Sequence, residues 1–348
     1  MAKKMNSADG LQELKIAIRA KEPERLYFFH GEEVFLLHHY LGQLKKILLD
    51  DLTESFNFHK LNAENFGIQE LADAVENLPM MAERTFVWVD EVDLFKLGEN
   101  DRVKVSEILG DIPDYCTVVF TYVTTPWKPD KRLKKLWDVI DKNGVVVEFA
   151  KQEQKDLVPW VVRHFAAHKK QISNDLCVYL IDITGGTMTT LAGEISKICA
   201  YSGADRIIKS DIDAVVEPVM DAVVFQMTDL LGQGAYGPAL LKLQTLLKMQ
   251  QEPLSILGAI GMHFRRLSVA RVLLDNGRTA TDLSKLTGLS DYPARKTMSA
   301  AGRFSATFCA KAAELIVETD AQIKTSFDEP QRLLEVLILR LAQEAGHG

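Results

Sequence analysis

The chain has 348 residues, of which 47% are hydrophobic and 26% charged, with a formal net charge of -7 and an isoelectric point near 5.7. That length suits two or three domains with sizeable cores, and the composition excludes the disordered, fibrous and membrane-embedded classes. The acidic balance argues against a self-sufficient nucleic-acid binder, whose domains carry a basic footprint, so any work on DNA would need partners.

The opening stretch MAKKMNSADGLQELKIAIRA turns polar after its lysines. Without an apolar core leading to a small-residue cleavage site, it does not read as a signal peptide. No run approaches the roughly 18 to 20 apolar residues of a membrane span, and no membrane partner is expected. Cys116, Cys177, Cys199 and Cys309 lie far apart without paired spacing or a nearby histidine cluster. Neither a zinc site nor a disulfide framework is expected, and a reducing cytoplasm fits.

The first part of the chain alternates. RLYFFH (25–30) reads as a buried strand, EVFLLHHYLGQLKKILLD (33–50) as a helix and FNFHKLN (56–62) as a strand of period two. GIQELADAVENL (67–78) places Ile68, Leu71, Ala72, Val75 and Leu78 on one helical face. Strands TFVWVD (85–90), CTVVFTYV (116–123) and GVVVEF (144–149) follow, separated by the helical stretches NDRVKVSEIL and DKRLKKLWDVID. Strands alternating with helices imply a mostly parallel, doubly wound sheet. After about residue 150 the strand signal stops. KDLVPWVVRHFAAHKKQ, NDLCVYLIDITG and MTTLAGEISKICAYSG read as amphipathic helices, broken at Gly185, Gly186 and Gly203, and KSDIDAVVEPV as a last capped turn. From MDAVVFQMTDLLGQG to the end the chain is helical again, and no fixed-period repeat appears. The expected fold class is therefore α/β plus all-α: a sheet domain (1–150), a small helical domain (151–217) and a helical C-terminal domain (218–348).

FFHGEEVFLL has the strand–glycine–helix form of a phosphate site. A working phosphate loop needs backbone amides, a lysine for the β and γ charges and a Ser or Thr for magnesium. Gly31 is followed by Glu32, Glu33, Val34, Phe35 and Leu36, which supply none of these. Two carboxylates at a helix start suit the helix dipole but repel a triphosphate. FVWVDEVD ends an apolar strand in Asp90 and Glu91, as in ATPases that hold magnesium and position a water. The same acids are also an ordinary polar strand end. Together the signals suggest an ATPase-like fold without the ATPase, and no cofactor or metal is expected.

Between helix and strand lies ENLPMMAERT. Pro79 ends the helix and leaves Leu78, Met80 and Met81 in a short loop. Such methionines either fill a partner's apolar pocket or tuck beneath their own sheet. The basic clusters Lys128, Lys131, Arg132, Lys134, Lys135 and Arg265, Arg266, Arg271 could touch phosphates. The default is a solvated helix face for the first and salt bridges to a neighbouring acidic helix for the second. His30, His38, His39 and His59 lack metal-site spacing and read as structural. No nucleophile–base pair or catalytic motif appears.

In order and spacing, LYFFHGEEVFLLHHYL, ENLPMMAERTFVWVDEVDLF, WVVRHFAAHKKQIS, TLAGEISKICAYSG, PLSILGAIGMHFRRLSVARVLL and LIVETDAQIKTSFDEPQRLLEVLILRLA resemble the delta subunit family of the bacterial DNA polymerase III clamp loader. The closing pattern, with Asp320, Ile323, Lys324, Leu334 and Glu335, is its most specific part. The resemblance implies an AAA+-like first domain that has lost ATP binding, a small helical lid, and a helical collar joining gamma/tau and delta prime subunits in a ring. It implies a non-catalytic subunit of a DNA-directed DNA polymerase (nucleotidyltransferase) holoenzyme, cytoplasmic and acting in DNA replication on primer–template DNA. It also implies that the loop after the first domain's exposed helix opens the ring-shaped sliding clamp (beta), which maps to Leu78, Met80 and Met81. Gly31, Glu32, Glu33, Asp90 and Glu91 then mark a degenerate nucleotide site, and Lys131, Arg132, Lys134 and Lys135 a candidate DNA contact. The alternatives are an active AAA+ ATPase with an atypical phosphate loop, and a helical scaffold.

Overall fold

Apolar stretches of the N-terminal part form one five-stranded, wholly parallel sheet in the spatial order β2-β3-β4-β1-β5. The strands are β1 (Leu26–His30), β2 (Phe58–Asn62), β3 (Thr85–Asp90), β4 (Cys116–Tyr122) and β5 (Val145–Glu148). The computed structural model describes residues 7–50, 52–289 and 291–345. The start of the N-terminal stretch weighed above as a leader lies outside the described residues.

Side chains alternate across the sheet, as a strand's period of two requires. Tyr27 and Phe29 face α1 (Ser7–Ala20) and α2 (Val34–Leu48), packing with Leu14, Leu37, Leu41 and Leu44. Leu26 and Phe28 face the opposite layer, α4 (Ile68–Glu76), α5 (Glu99–Gly110) and α6 (Lys134–Asn143), with Leu71, Val105, Leu136 and Ile140. The central β4 is buried along its whole length, as expected of a strand covered on both faces.

Three local departures from the sequence reading have physical causes. α1 was not expected, because its stretch has little net hydropathy; it is held by a narrow apolar stripe and by Gly10, where a Cβ would lie 2.1 Å from the Val146 carbonyl oxygen. Phe56 and Asn57 do not begin a strand but end the short helix α3 (Glu54–Asn57). Asp50 turns the chain into that helix, its Oδ1 accepting from the Leu52 and Thr53 amides at 3.0 and 2.8 Å. Lys131 and Arg132 precede α6, because Asp130 Oδ1 accepts from the Arg132 amide at 3.0 Å and holds that segment as a turn.

The chain separates into two compact units, residues 1–151 and 152–348. The second contains helices α7 (Gln154–Ala167), α8 (Asn174–Thr184), α9 (Met188–Tyr201), α10 (Lys209–Val215), α11 (Met220–Gly232), α12 (Tyr236–Lys248), α13 (Pro253–Asp275), α14 (Ala280–Thr287), α15 (Asp291–Ala301), α16 (Ala306–Thr325) and α17 (Pro330–Ala345). Helices α7 to α10 pack on one another through Val161, Phe165, Leu180, Leu191 and Ile195. Helices α11 to α17 share a larger core that includes Met227, Leu243, Phe264, Phe308, Leu315 and Leu337. The Val219 amide donates to Ile183 O at 2.8 Å, and Lys296 pairs with Asp182, so the two helical groups are tied within this unit. The α/β-plus-all-α class read from the sequence is the architecture observed.

Candidate functional site

In a doubly wound sheet the natural ligand crevice lies outside the carboxyl ends of the strands. β1 lies inside the sheet, between the central β4 and the edge strand β5, and only Gly31, Glu32 and Glu33 join it to α2. Gly31 has φ +127°, and a Cβ there would lie 2.3 Å from the Phe149 carbonyl oxygen, because the chain leaving β5 crosses this turn. Phe149 donates its amide to His30 O at 2.7 Å and accepts from the Glu33 amide at 2.9 Å. The Val34 amide donates to Glu32 O at 3.1 Å. Two of the amides that could cradle a phosphate at the start of α2, those of Glu33 and Val34, are therefore turned onto protein oxygens. Glu33 is buried at this turn and Glu32 is exposed.

Beside the turn, Trp127 lies against the carboxyl ends of β1 and β4. Its ring is 4.9 Å from Tyr122, 5.3 Å from Phe28, 5.7 Å from His30 and 5.9 Å from Phe95, centroid to centroid. Burial in this cluster holds His30 below the ordinary histidine pKa and so favours the neutral ring.

Asp90 and Glu91 are also engaged. Thr121 donates to Asp90 Oδ1 at 2.7 Å while accepting from Trp88 Nε1 at 2.8 Å, and the Lys60 ammonium stands 3.3 Å from Asp90 Oδ2. Glu91 has φ +60°, and its carboxylate gathers the loop after β4. It accepts from the amides of Val123, Thr124 and Thr125 at 2.6, 2.9 and 2.6 Å and from the Thr124 hydroxyl at 2.9 Å. Burial pushes its pKa up, but the amides of Thr124, Thr125 and Val123 outweigh this and hold it below the usual glutamate value. These contacts are those of a loop anchor.

The opposite, amino edge of the sheet is built differently. α4 ends at Glu76, and the loop that leads to β3 exposes Leu78 by 68%, Met80 by 54% and Met81 by 91%. The methionines do not tuck beneath the sheet. The backbone of the loop is nonetheless tethered. Tyr115 donates its hydroxyl to Glu76 O at 3.0 Å, the Asn77 side-chain amide meets His59 Nε2 at 3.2 Å, and the Thr85 amide donates to Tyr115 O at 2.8 Å. Asn57 holds the middle: its Oδ1 accepts from the Met80 amide at 2.7 Å, and its Nδ2 donates to Met80 O at 2.9 Å. Parallel pairing of Phe58 with Phe86 sets Asn57 at the same edge as this loop.

The basic clusters are partly neutralised. Arg132 lies along Asp130 with contacts of 2.9 and 2.7 Å, Lys135 pairs with Glu107 at 2.9 Å, and Lys131 sits 5.1 Å from the centre of the Trp137 ring. Lys134 is exposed at the start of α6. In the second cluster Arg271 pairs with Asp275 on its own helix, rather than with a neighbouring acidic helix. Among the described residues no group of His, Cys, Asp and Glu could hold a metal ion, and no single helix is long and apolar enough to cross a membrane.

Sequence reasoning passed over Asn57, Tyr115, Trp127 and Phe149. Each acts on a residue distant in the chain, and no periodicity signals that. A single asparagine directly before an apolar strand was the one available hint for Asn57.

Two family models match the chain. One, described as DNA polymerase III, delta subunit, covers residues 27–150, and one described as DNA polymerase III delta subunit, C-terminal domain, covers residues 221–341. DNA polymerase III subunit delta of Bacillus subtilis (strain 168) is 23% identical over 332 residues, 93% of this chain and 95% of the relative. A protein of Aquifex aeolicus (strain VF5) named "Probable DNA polymerase III subunit delta" is 26% identical over 273 residues, 75% of this chain and 74% of the relative. Among solved structures, the Bacillus subtilis DNA clamp loader delta protein superposes with a TM-score of 0.64 at 20% identity, covering 96% of this chain and 99% of that one, a likeness of fold.

Proposed function

The chain belongs to the DNA polymerase III delta subunit family, and on that premise we propose that it binds and opens a ring-shaped sliding clamp by inserting Leu78, Met80 and Met81 into an apolar pocket of the clamp. The observation that carries the proposal is the loop after α4, in which three large apolar side chains stand in solvent on a tethered backbone. Large exposed apolar groups on a fixed frame favour burial in a partner.

The mechanism is differential binding. A loop that fits the clamp better when its interface is sprung shifts the clamp toward the open form by no more than its difference in affinity for the two forms. A tenfold preference is worth about 1.4 kcal/mol. Partner subunits that bind ATP would decide when the loop is reachable. This chain contributes contact energy and hydrolyses no ATP; the amides committed around Gly31 and the acids committed at Asp90 and Glu91 support that assignment over an active ATPase.

Residues 151–217 serve as an AAA+-type lid and 218–348 as the collar that joins gamma/tau and delta prime. Any contact with primer–template DNA at the first basic cluster rests mainly on the exposed Lys128 and Lys134, since Arg132 and Lys135 are already ion-paired and Lys131 lies over Trp137. The test is surface plasmon resonance of the purified chain over immobilised sliding clamp, comparing wild type with Leu78→Ser/Met80→Ser/Met81→Ser. Circular dichroism reports whether the variant is folded. Tight binding that disappears in the folded variant is the expected result, and binding that survives would place the clamp contact elsewhere.

A further inference from the structure

Asn57 is fully buried at the end of α3, yet both polar atoms of its side-chain amide are used on a loop whose side chains are in solvent. Its Oδ1 and Nδ2 grip the N–H and C=O of one residue, Met80, and Nδ2 also donates to Thr53 O at 3.0 Å. That grip imitates a ladder of backbone bonds and sets the orientation of Met80 in two directions at once. On one side, Pro79 has its own φ restricted by its ring. On the other, Met81 adopts φ +55°, a left-handed conformation that a non-glycine residue keeps only where its surroundings impose it.

The anchor is itself braced. The Asp50 carboxylate accepts from the Leu52 and Thr53 amides and from the Thr53 hydroxyl at 3.0, 2.8 and 3.0 Å, which fixes the turn carrying Thr53 O. A loop held only at its ends, by Glu76, Asn77 and Thr85, would sample many conformations, and its methionines would have to be ordered on docking. We infer that Asn57 is a positioning residue that pre-organises Leu78, Met80 and Met81 for insertion into the apolar pocket of the sliding clamp. This inference rests on the proposed clamp contact. Asn57 touches no partner and acts only through the backbone of Met80.

The first test uses the wild-type chain. Hydrogen exchange should find the Met80 amide protected although its side chain is half exposed; rapid exchange there would overturn the inference whatever happens to any variant. The second uses Asn57→Ala, with surface plasmon resonance over immobilised clamp and exchange of the sheet amides as a control. Clamp affinity should fall about tenfold with sheet protection unchanged, because freed backbone must be ordered again on binding. In a Met81→Ser background the same substitution should cost only about threefold, since both changes act through one loop; fully additive losses would overturn the positioning role. Wild-type affinity in Asn57→Ala, alongside lost binding in the Leu78/Met80/Met81 serine variant, overturns the role of Asn57 and leaves the clamp contact standing. Retained binding in that serine variant removes the contact itself.

Discussion

At the carboxyl edge of the sheet the Glu33 and Val34 amides and the Asp90 and Glu91 carboxylates are turned onto the protein, and the rings around Trp127 pack into the space beside them. At the amino edge the loop after α4 also turns its backbone onto the protein, through Asn57 and Tyr115, but leaves its apolar side chains in solvent. The same device, satisfying backbone groups from within, has opposite consequences. Phosphate binding needs amides left open to a ligand, so satisfying them closes the site. Apolar docking needs amides satisfied, so that the side chains are held without any unpaired polar group entering a partner's pocket.

The contrast can be broken most forcefully at Gly31. Gly31→Val would set a Cβ against the Phe149 backbone in a left-handed conformation, and should cost about 4 kcal/mol in chemical denaturation. A near-neutral Gly31→Val would mean that the crossing at Phe149 is not rigid. The serine variant of Leu78, Met80 and Met81 should behave in reverse: clamp affinity falls at least about 100-fold, roughly 2.8 kcal/mol, while unfolding stability stays within about 0.5 kcal/mol of wild type. A large loss of stability would show that the loop packs at home and is no free docking element.

Trp127→Ala sharpens the same comparison at smaller cost. Removing a half-buried indole should destabilise by about 2 kcal/mol, below the range for fully buried tryptophans. It should not create ATP binding measurable by calorimetry, because the amides around Gly31 stay committed. The smallest effect belongs to Glu91, whose pKa is depressed in the fold from its model-compound value of 4.5. Its stabilising contribution is complete above pH 4.5 and is lost as pH falls through the lower native value. Glu91→Gln should therefore flatten part of the acid limb of a stability–pH profile, and an unchanged limb would deny that this carboxylate anchors the loop after β4.

Much of this was legible along the chain. Short apolar runs such as RLYFFH and TFVWVD became strands where they were expected, since a stretch buried on both faces is apolar residue by residue. The absence of lysine and hydroxyl after Gly31 already spoke against a phosphate loop. The fate of Met80 and Met81 was not legible, because their two environments, under the sheet or in solvent, demand the same residue types. What separated them was Asn57, more than twenty positions earlier in the chain.

The sequence by itself determined most of the elements, the doubly wound class and the want of a lysine or hydroxyl after Gly31, because those follow from side-chain type and short-range spacing. Only the tertiary structure decided which edge of the sheet is closed and which presents a surface. That depends on where Phe149, Trp127, Tyr115 and Asn57 arrive after folding, and contacts between distant segments leave no period in the chain that carries them.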